Sequence, residues 1–202
     1  MSETILYLVR HCDVENPANL IYGRLNGFGL SALGRAQAEQ VGQYLADRPI
    51  VEIYSSPLLR AIQTGRAIGV FHTAVSIRRS LRLIEVRTGY QGLLAKDVPS
   101  SVNMFDQPRD PTDETMADVF RRMRRFVDAA FVRHRGAEVV CVSHAAPIAI
   151  LRAGLEGRPF TIDALRGPEA PEKGSITRLT LSKADTPEIQ YVDVQRDLSS
   201  VH

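Results

Sequence analysis

Short apolar runs alternate along the chain with longer segments of helical periodicity. Residues 5–10 (ILYLVR), 51–54 and 138–143 (EVVCVS) are rich in aliphatic and β-branched side chains, as expected of strands buried in a parallel sheet. The segments between them carry apolar residues at helical spacing. This alternation predicts an α/β fold, a three-layer sandwich with a mostly parallel central sheet and helices on both faces.

Capping residues predict where the helices begin. Ser31 is the predicted N-cap of a helix over residues 32–47, and Ser56-Pro57 opens a second helix, with proline at its first position. Residues 112–113 supply a cap for a long helix that reaches about residue 134. Another helix is predicted over residues 147–155.

Weaker patterns predict the remaining strands. Residues 75–77 and 81–84 form short apolar stretches, and residues 175–182 and 189–194 are predicted as the last two strands. Residues 86–113 are loop-like, with five glycines and prolines. We therefore expect a single domain over residues 1–202, in which residues 86–113 form a small cap-like insertion over the active face.

Composition excludes several classes of protein. Hydrophobic residues make up 44% of the chain and charged residues 24%, which is ordinary for a globular protein. A formal net charge of +2 is too small to indicate a nucleic-acid or membrane partner. Residues 1–30 lack the pattern of a signal peptide, and Cys12 and Cys141 do not indicate a disulfide framework. We expect a cytoplasmic protein with no nucleic-acid or membrane partner.

Polar residues follow three of the predicted strands. These are Arg10-His11, Ser55-Ser56 and Ser143-His144. In open parallel sheets, ligands bind beyond the carboxyl ends of the strands, so these side chains are expected to converge. The sequence thus predicts one site at that edge.

Arg10 and His11 suggest phosphoryl chemistry. A neutral imidazole is a good nucleophile toward phosphorus, and a neighbouring guanidinium neutralises phosphoryl oxygens. Arg60 falls in the first turn of the second helix, where a cation is disfavoured unless an anion lies beside it. The alternatives are a histidine that merely bonds in a turn and an arginine exposed to solvent.

His144 follows the strand at 138–143 and precedes two alanines that open a helix. The backbone N–H groups of Ala145 and Ala146 can face an anion, and an imidazolium at His144 would stabilise its charge. The alternative is an incidental histidine at a helix start. The other histidines, at positions 72, 134 and 202, lack such surroundings and are expected to be solvated.

Four segments in order resemble the motifs of the histidine phosphatase superfamily. They are LVRHCDVEN (8–16), LSALGRAQA (30–38), SSPLLRAIQT (55–64) and VVCVSHAAP (139–147). The resemblance covers roughly residues 5–155. It implies a family that includes phosphoglycerate mutases, fructose-2,6-bisphosphatases and broad-specificity phosphatases.

The resemblance implies a role for each matching residue. His11 would be the phosphorylated nucleophile, and Arg10, Arg60 and His144 would form the phosphate pocket. Glu85, in a leucine-x-glutamate stretch, would be the general acid and base. Asp13 is a weaker rival for the acid role, and a structural Glu85 paired with Arg82 or Arg87 is the plainer alternative.

Several residues depart from the family pattern. Cys12 stands where glycine is usual, Val14 replaces a hydroxyl residue, and Ala145 with Ala146 replaces a glycine pair. Asn16 is a candidate for the family's substrate-binding asparagine, or else a loop residue. Gly89-Tyr90-Gln91-Gly92 replaces a pattern that mutases use for sugar-acid phosphates.

The sequence therefore predicts metal-independent, cofactor-independent hydrolysis of a phosphomonoester through a phosphohistidine on His11. The substrate would be a phosphorylated small molecule or a phosphoprotein, and a homodimer is compatible with the sequence. Arg24, Arg87 and Arg109 are guesses for contacts to a second anionic group. Three alternatives stay open: a mutase, a phosphate-binding protein without turnover, and a metal hydrolase using His11, Asp13 and His144.

Overall fold

The computed structural model describes residues 3–99, 101–165, 170–182 and 186–199. In this part of the chain six strands form one sheet with the order β3-β2-β4-β1-β5-β6. The strands are β1 (Thr4–Arg10), β2 (Ile50–Ser55), β3 (Ile77–Arg79), β4 (Glu138–Ser143), β5 (Ile176–Leu181) and β6 (Glu188–Val192).

Helices pack on both faces of this sheet. They are α1 (Ala32–Leu45), α2 (Leu59–Gly69), α3 (Met116–Arg133), α4 (Ala145–Leu155), α5 (Ile162–Leu165) and α6 (Val194–Ser199). Two 3-10 helices, Leu81–Leu83 and Ala95–Asp97, lie between α2 and α3.

The strand directions confirm the predicted mostly parallel sheet. β1 pairs in parallel with β4, and β2 pairs in parallel with both β4 and β3. β5 is antiparallel to β1 and to β6. The register places Arg10 beside Ser143 and Ser55 beside Val142, so three strands end together at one edge.

Alternate residues of the central strands fill two separate cores. Leu6 and Leu8 of β1 pack with α3 and α4 on one face. Tyr7 and Val9 pack with α1 and α2 on the other. A strand buried on both faces needs apolar side chains at nearly every position, which explains the continuous apolar runs in the sequence.

Helix α1 packs closely against the loop that follows β1. Ser31 is its N-cap, as predicted, and accepts a hydrogen bond from the Gly34 backbone N–H. A Cβ at Gly34 would lie 2.0 Å from the Asp13 carbonyl oxygen, a distance that no side chain could adopt. Glycine is therefore required at position 34, and the loop carrying His11 is fixed against α1.

Three predicted helix starts differ from the structure. Helix α2 begins at Leu59 after the N-cap Leu58, so Pro57 is not its first residue. Helix α3 is capped by Thr115, in a reciprocal capping box with Asp118, and not by residues 112–113. Helix α4 begins at Ala145, two residues earlier than predicted, which places both alanines in its first turn.

The predicted strand over residues 81–84 is wrong. Leu81–Leu83 is a 3-10 helix, and the Ser80 side chain accepts from the Arg82 backbone N–H at its start. A short apolar stretch cannot by itself distinguish a strand from a buried turn. The last strand also ends earlier, because Val194 begins α6.

The insertion over residues 86–113 is tied to the loop after β1. The Ile21 N–H donates to the Leu93 carbonyl, and the Gly92 N–H donates to the Ile21 carbonyl, each at 2.8 Å. Leu20 and Leu94 form an isolated antiparallel bridge. The insertion and the loop after β1 thus form one connected unit.

The expectation that the remaining histidines are solvated is wrong for two of them. His72 is buried, and His134 bonds the Tyr54 hydroxyl at 3.0 Å. His202 lies outside the described residues. Among the described residues, no helix is long and apolar enough to cross a membrane.

Candidate active site

The three polar strand ends meet at the carboxyl edge of the sheet. The His11 N–H donates to the Ser143 carbonyl at 3.0 Å, and the Ser56 N–H donates to the Val142 carbonyl at 2.9 Å. Backbone hydrogen bonds therefore join the residues that follow β1 and β2 to the end of β4. This positions the side chains of His11, Ser56 and His144 with little freedom.

Hydrogen bonds define the tautomer of His11. An arginine N–H can only donate, so the 3.2 Å contact from Arg60 Nε makes His11 Nε2 an acceptor. The proton is then on Nδ1, which donates to the Cys12 carbonyl at 2.8 Å. Burial, reinforced by Arg60, holds the pKa of His11 well below its usual value. The imidazole is neutral, with the Nε2 lone pair directed at Arg60.

Arg60 lies at the centre of the cluster and is fully buried. Its Nη2 donates to the Gly23 carbonyl at 2.8 Å and contacts His144 Nδ1 at 3.3 Å. The guanidinium also lies over the Tyr22 ring, 4.6 Å from its centroid. Its Nη1 is buried without a hydrogen-bond partner among the described residues.

His144 is also neutral. Because Arg60 can only donate to Nδ1, the proton of His144 lies on Nε2, which donates to Ser56 Oγ at 2.8 Å. Burial, followed by the neighbouring His11 and Arg60, lowers its pKa well below the usual value. The two imidazole rings lie 5.1 Å apart, edge to face. The imidazolium expected from the sequence is therefore not the state of the free site.

Arg10 supplies the second guanidinium. Its Nη1 donates to the Pro171 carbonyl at 2.7 Å, which directs the side chain across the loop before β5. Its Nε is buried and has no hydrogen-bond partner among the described residues. With Nη1 of Arg60, the cluster thus has two buried N–H donors suited to an anion.

Glu85 lies beside His144, with 3.7 Å between its Oε2 and His144 Nδ1. Its other oxygen accepts from the Val86 backbone N–H at 2.8 Å. Burial raises the pKa of this carboxyl, although the Val86 bond and Arg60 act in the opposite direction. A carboxyl with a raised pKa retains a proton more readily, as a general acid requires.

A second carboxylate, Glu114, holds the segment that carries Glu85. Glu114 accepts from Arg24 Nη2 at 2.7 Å and from Arg122 Nε at 2.8 Å. The same two arginines donate to the Glu85 carbonyl, Arg24 through Nε at 2.7 Å and Arg122 through Nη2 at 3.3 Å. Glu114 also accepts from the Arg87 backbone N–H at 3.0 Å. The backbone of Glu85 is thereby fixed from both sides.

Ala145 begins α4 directly after His144, and the N–H groups of the first turn of a helix have no partner within it. Ala145 and Ala146 also line a cavity of about 240 Å³ that Glu85 borders. The pocket residue predicted at position 145 therefore lies between the histidine cluster and an open cavity.

Two residues considered for the site are engaged elsewhere. The amide of Asn16 both donates to the Leu20 carbonyl and accepts from the Leu20 N–H, each at 3.0 Å, which closes its own loop. Asp13 pairs with Lys173 and accepts from Ser31 Oγ at 2.5 Å. Burial would raise the pKa of Asp13, but these hydrogen bonds outweigh it and the pKa is lowered. An ionised, paired Asp13 does not suit the acid role.

The departures from the family pattern are accommodated by packing. Cys12 is fully buried in an apolar core, and burial raises the pKa of its thiol to about 12, which makes it unreactive. Its backbone φ is not among the positive values found in the described chain, so no glycine is needed there. Val14 is buried and bridges Leu30.

The suggested contacts to a second anionic group gain no support. Arg24 is bonded to Glu114, and Arg109 lies over the Tyr90 ring, 5.3 Å from its centroid. Arg87 is exposed. In the described chain, no group of three His, Cys, Asp or Glu side chains is placed to hold a metal ion.

The sequence did not reveal Ser56 as the partner of His144, nor Glu114 as the anchor of Glu85. Ser56 follows a predicted strand. This position indicated that Ser56 lies near the site, but not that it bonds His144. Glu114 lies 29 positions after Glu85, in a segment with no motif. Neither local pattern nor spacing links those two carboxylates.

Comparison with known proteins gives a consistent result. The model of the histidine phosphatase superfamily (branch 1) matches residues 6–193. An uncharacterized protein of Mycobacterium tuberculosis, Rv0525, is 39% identical over 171 residues, covering 81% of this chain and 84% of its own. Phosphoserine phosphatase 1 of Hydrogenobacter thermophilus is 31% identical over 162 residues, covering 75% and 76%.

A solved structure supports the same assignment. The mycobacterial glucosyl-3-phosphoglycerate phosphatase Rv2419c superimposes with a TM-score of 0.77 at 26% identity, covering 94% of this chain and 97% of that one. The relatives thus include phosphatases, and the matched region contains His11, His144 and Glu85. This chain belongs to the histidine phosphatase superfamily.

Proposed function

We propose that this protein hydrolyses phosphomonoesters without a metal ion, through a phosphohistidine on His11. The observation that carries the proposal is the buried pairing of a neutral His11 with Arg60. An unprotonated imidazole nitrogen, next to two guanidinium groups with unsatisfied donors, suits a phosphoryl group. The proposed substrate is a phosphorylated small molecule.

In the first step, the phosphoryl group takes the place that Arg60 Nε occupies at His11 Nε2. The phosphoryl oxygens are then bound by Arg60, Arg10 and the N–H groups in the first turn of α4. His144, which bonds Ser56 and lies beside Arg60, stabilises the same oxygens. A bound dianion also favours protonation of His144. The substrate itself thus supplies the charge that makes an imidazolium stable at this position.

The N–P bond forms as the P–O bond to the alcohol breaks. His11 Nε2 attacks in line, while Nδ1 keeps its proton and continues to donate to the Cys12 carbonyl. Glu85 gives its proton to the departing oxygen, so a neutral alcohol and a phosphohistidine result. In the second step, water gives a proton to the ionised Glu85 and attacks phosphorus, which releases phosphate and restores His11.

His11→Ala removes the nucleophile and should lower p-nitrophenyl phosphate hydrolysis by at least about a thousandfold. The matched control, His72→Gln, alters a buried histidine outside the candidate active site and should retain activity. Both are measured with EDTA present. Activity that survives in His11→Ala, or that disappears from the wild type with EDTA, would contradict the proposal.

The pKa directions at His11 and Glu85 predict the pH profile. His11 must be neutral, so the acid limb of kcat/KM should lie well below pH 6.5, since its pKa is lowered from that value. Glu85 must be protonated, so activity should fall as pH rises through its pKa, which is raised above 4.5. The optimum is therefore expected between the pKa of His11 and the pKa of Glu85.

Glu85→Gln should lower kcat for an alkyl phosphate by about 100- to 10,000-fold and remove the contribution of Glu85 to the alkaline limb. Ionisation of the substrate phosphate affects both enzymes alike, so the difference between profiles is the diagnostic quantity. Glu39→Gln, at an exposed position of α1, is the control. An unchanged alkaline limb in Glu85→Gln would assign the acid to another group.

Glu114 is proposed as a positioning residue that acts through Glu85. Glu114→Ala should lower kcat for an alkyl phosphate by about 10- to 100-fold, because misplacing a catalytic group is costly. Hydrolysis of p-nitrophenyl phosphate should change far less, since nitrophenolate departs without a proton. Glu114→Gln provides the same test with the side-chain shape retained.

The control for Glu114 is Asp128→Ala, which breaks an exposed ion pair with Arg124. It should leave both substrates unaffected. If Glu114→Ala and Glu114→Gln slow both esters equally, Glu114 has only a structural role.

A further inference from the structure

The cavity beside Glu85 also borders Ala145, the residue that follows His144. We call it the leaving-group chamber. It has a volume of about 240 Å³, is partly open to solvent, and is lined by the loop after β1, the segment that follows Glu85, the insertion and the start of α4. Its lining residues are Leu20, Ile21, Tyr22, Gly23, Glu85, Val86, Thr88, Met104, Ala145 and Ala146.

The position of the chamber indicates which part of the substrate it would hold. Glu85 and Ala145 border the chamber, and the same two residues adjoin His144, one by a 3.7 Å contact and one through the chain. In the proposed reaction Glu85 protonates the ester oxygen. The phosphoryl group then lies toward His11, and the alcohol portion extends into the chamber.

The walls of the chamber are mostly apolar. Leu20, Ile21, Val86 and Met104 provide aliphatic surface, and the described lining contains no lysine, arginine or histidine. The hydroxyl of Thr88 already accepts from the Tyr90 N–H at 3.3 Å. The chamber therefore offers dispersion contacts rather than ion pairing.

The cations nearest the chamber are engaged by other groups. Arg24 is bonded through Nε to the Glu85 carbonyl and through Nη2 to Glu114. Arg109 stacks on Tyr90, and Arg60 faces His11. A carboxylate entering the chamber would lose its hydration without gaining a cation, and it would also lie near the Glu85 carboxyl.

We propose that the substrates of this site are phosphate esters of small, uncharged, mainly apolar alcohols, and that esters carrying a carboxylate are disfavoured. This inference rests on the proposed function and adds the substrate class. Burying an apolar group is favourable in proportion to its area, whereas an unpaired buried carboxylate is strongly unfavourable. A volume below the usual range of about 300–1,000 Å³ for drug-sized pockets suits an alcohol portion of a few carbon atoms.

A pair of esters of equal shape tests the proposal on the full chain. Isopentyl phosphate and the phosphate ester of β-hydroxypropionate share a skeleton, with two methyl groups in place of two carboxylate oxygens. We expect kcat/KM to be at least about 100-fold higher for isopentyl phosphate, the size of effect that an unpaired buried charge produces. Equal values, or a preference for the carboxylate, would overturn the proposal.

Met104 allows the chamber wall to be changed without altering the catalytic cluster. Met104→Lys places a cation in the wall and should reduce the preference at least about tenfold by pairing with the carboxylate. Met104→Gln, a neutral side chain of similar length, should leave most of the preference intact. If both variants shift the preference equally, charge is not what the chamber discriminates.

Binding separates failure of this inference from failure of the proposed function. With His11→Ala, calorimetry should show tighter binding of isopentyl phosphate than of the carboxylated ester, with a negative heat-capacity change. That result supports the substrate class even if the wild type hydrolyses neither ester, which would contradict only the proposed function. Tighter binding of the carboxylated ester would overturn the inference whatever the turnover.

Discussion

The burial of Arg60 against His11 is the constraint around which the site is built. A guanidinium without solvent exposure loses its hydration and must be compensated by its surroundings. Here the Gly23 carbonyl, the nitrogens of two histidines and the Tyr22 ring provide partial compensation, and Nη1 lacks a partner. The same charge helps to keep both imidazoles neutral. An incompletely compensated cation beside a neutral nucleophile is arranged to receive an anion.

The proposed general acid, Glu85, depends on a different part of the chain. Glu85 follows a 3-10 helix outside the sheet, so no strand fixes its backbone. Its carbonyl is instead held by Arg24 and Arg122, which Glu114 brings together. Because Arg24 is next to Gly23, whose carbonyl binds Arg60, the loop after β1 contacts both the nucleophile cluster and the acid. A single loop thus contacts both Arg60 and the backbone of Glu85.

The fold and the convergence of the three polar strand ends could be predicted from the sequence, because both depend on strands with strong local patterns. Runs buried on both faces identified β1, β2 and β4, and their carboxyl ends brought Arg10, His11 and His144 together. Prediction was less successful where a short local pattern is ambiguous. Leu81–Leu83 is a 3-10 helix despite its apolar character, and the Asn16 amide bonds the Leu20 backbone within its own loop. The Glu114 contacts and the apolar chamber arise from residues far apart in sequence, which no local pattern could indicate.

The most direct test of the account is chemical identification of the intermediate. The enzyme is mixed with a reactive phosphomonoester, quenched within milliseconds in alkali, where phosphohistidine is stable, and analysed by peptide mass spectrometry. The account predicts one phosphoryl group on His11 Nε2, absent after acid treatment because phosphohistidine is acid-labile. A phosphoryl group on another side chain would contradict it, as would product formation with no phosphorylated His11 at any quench time.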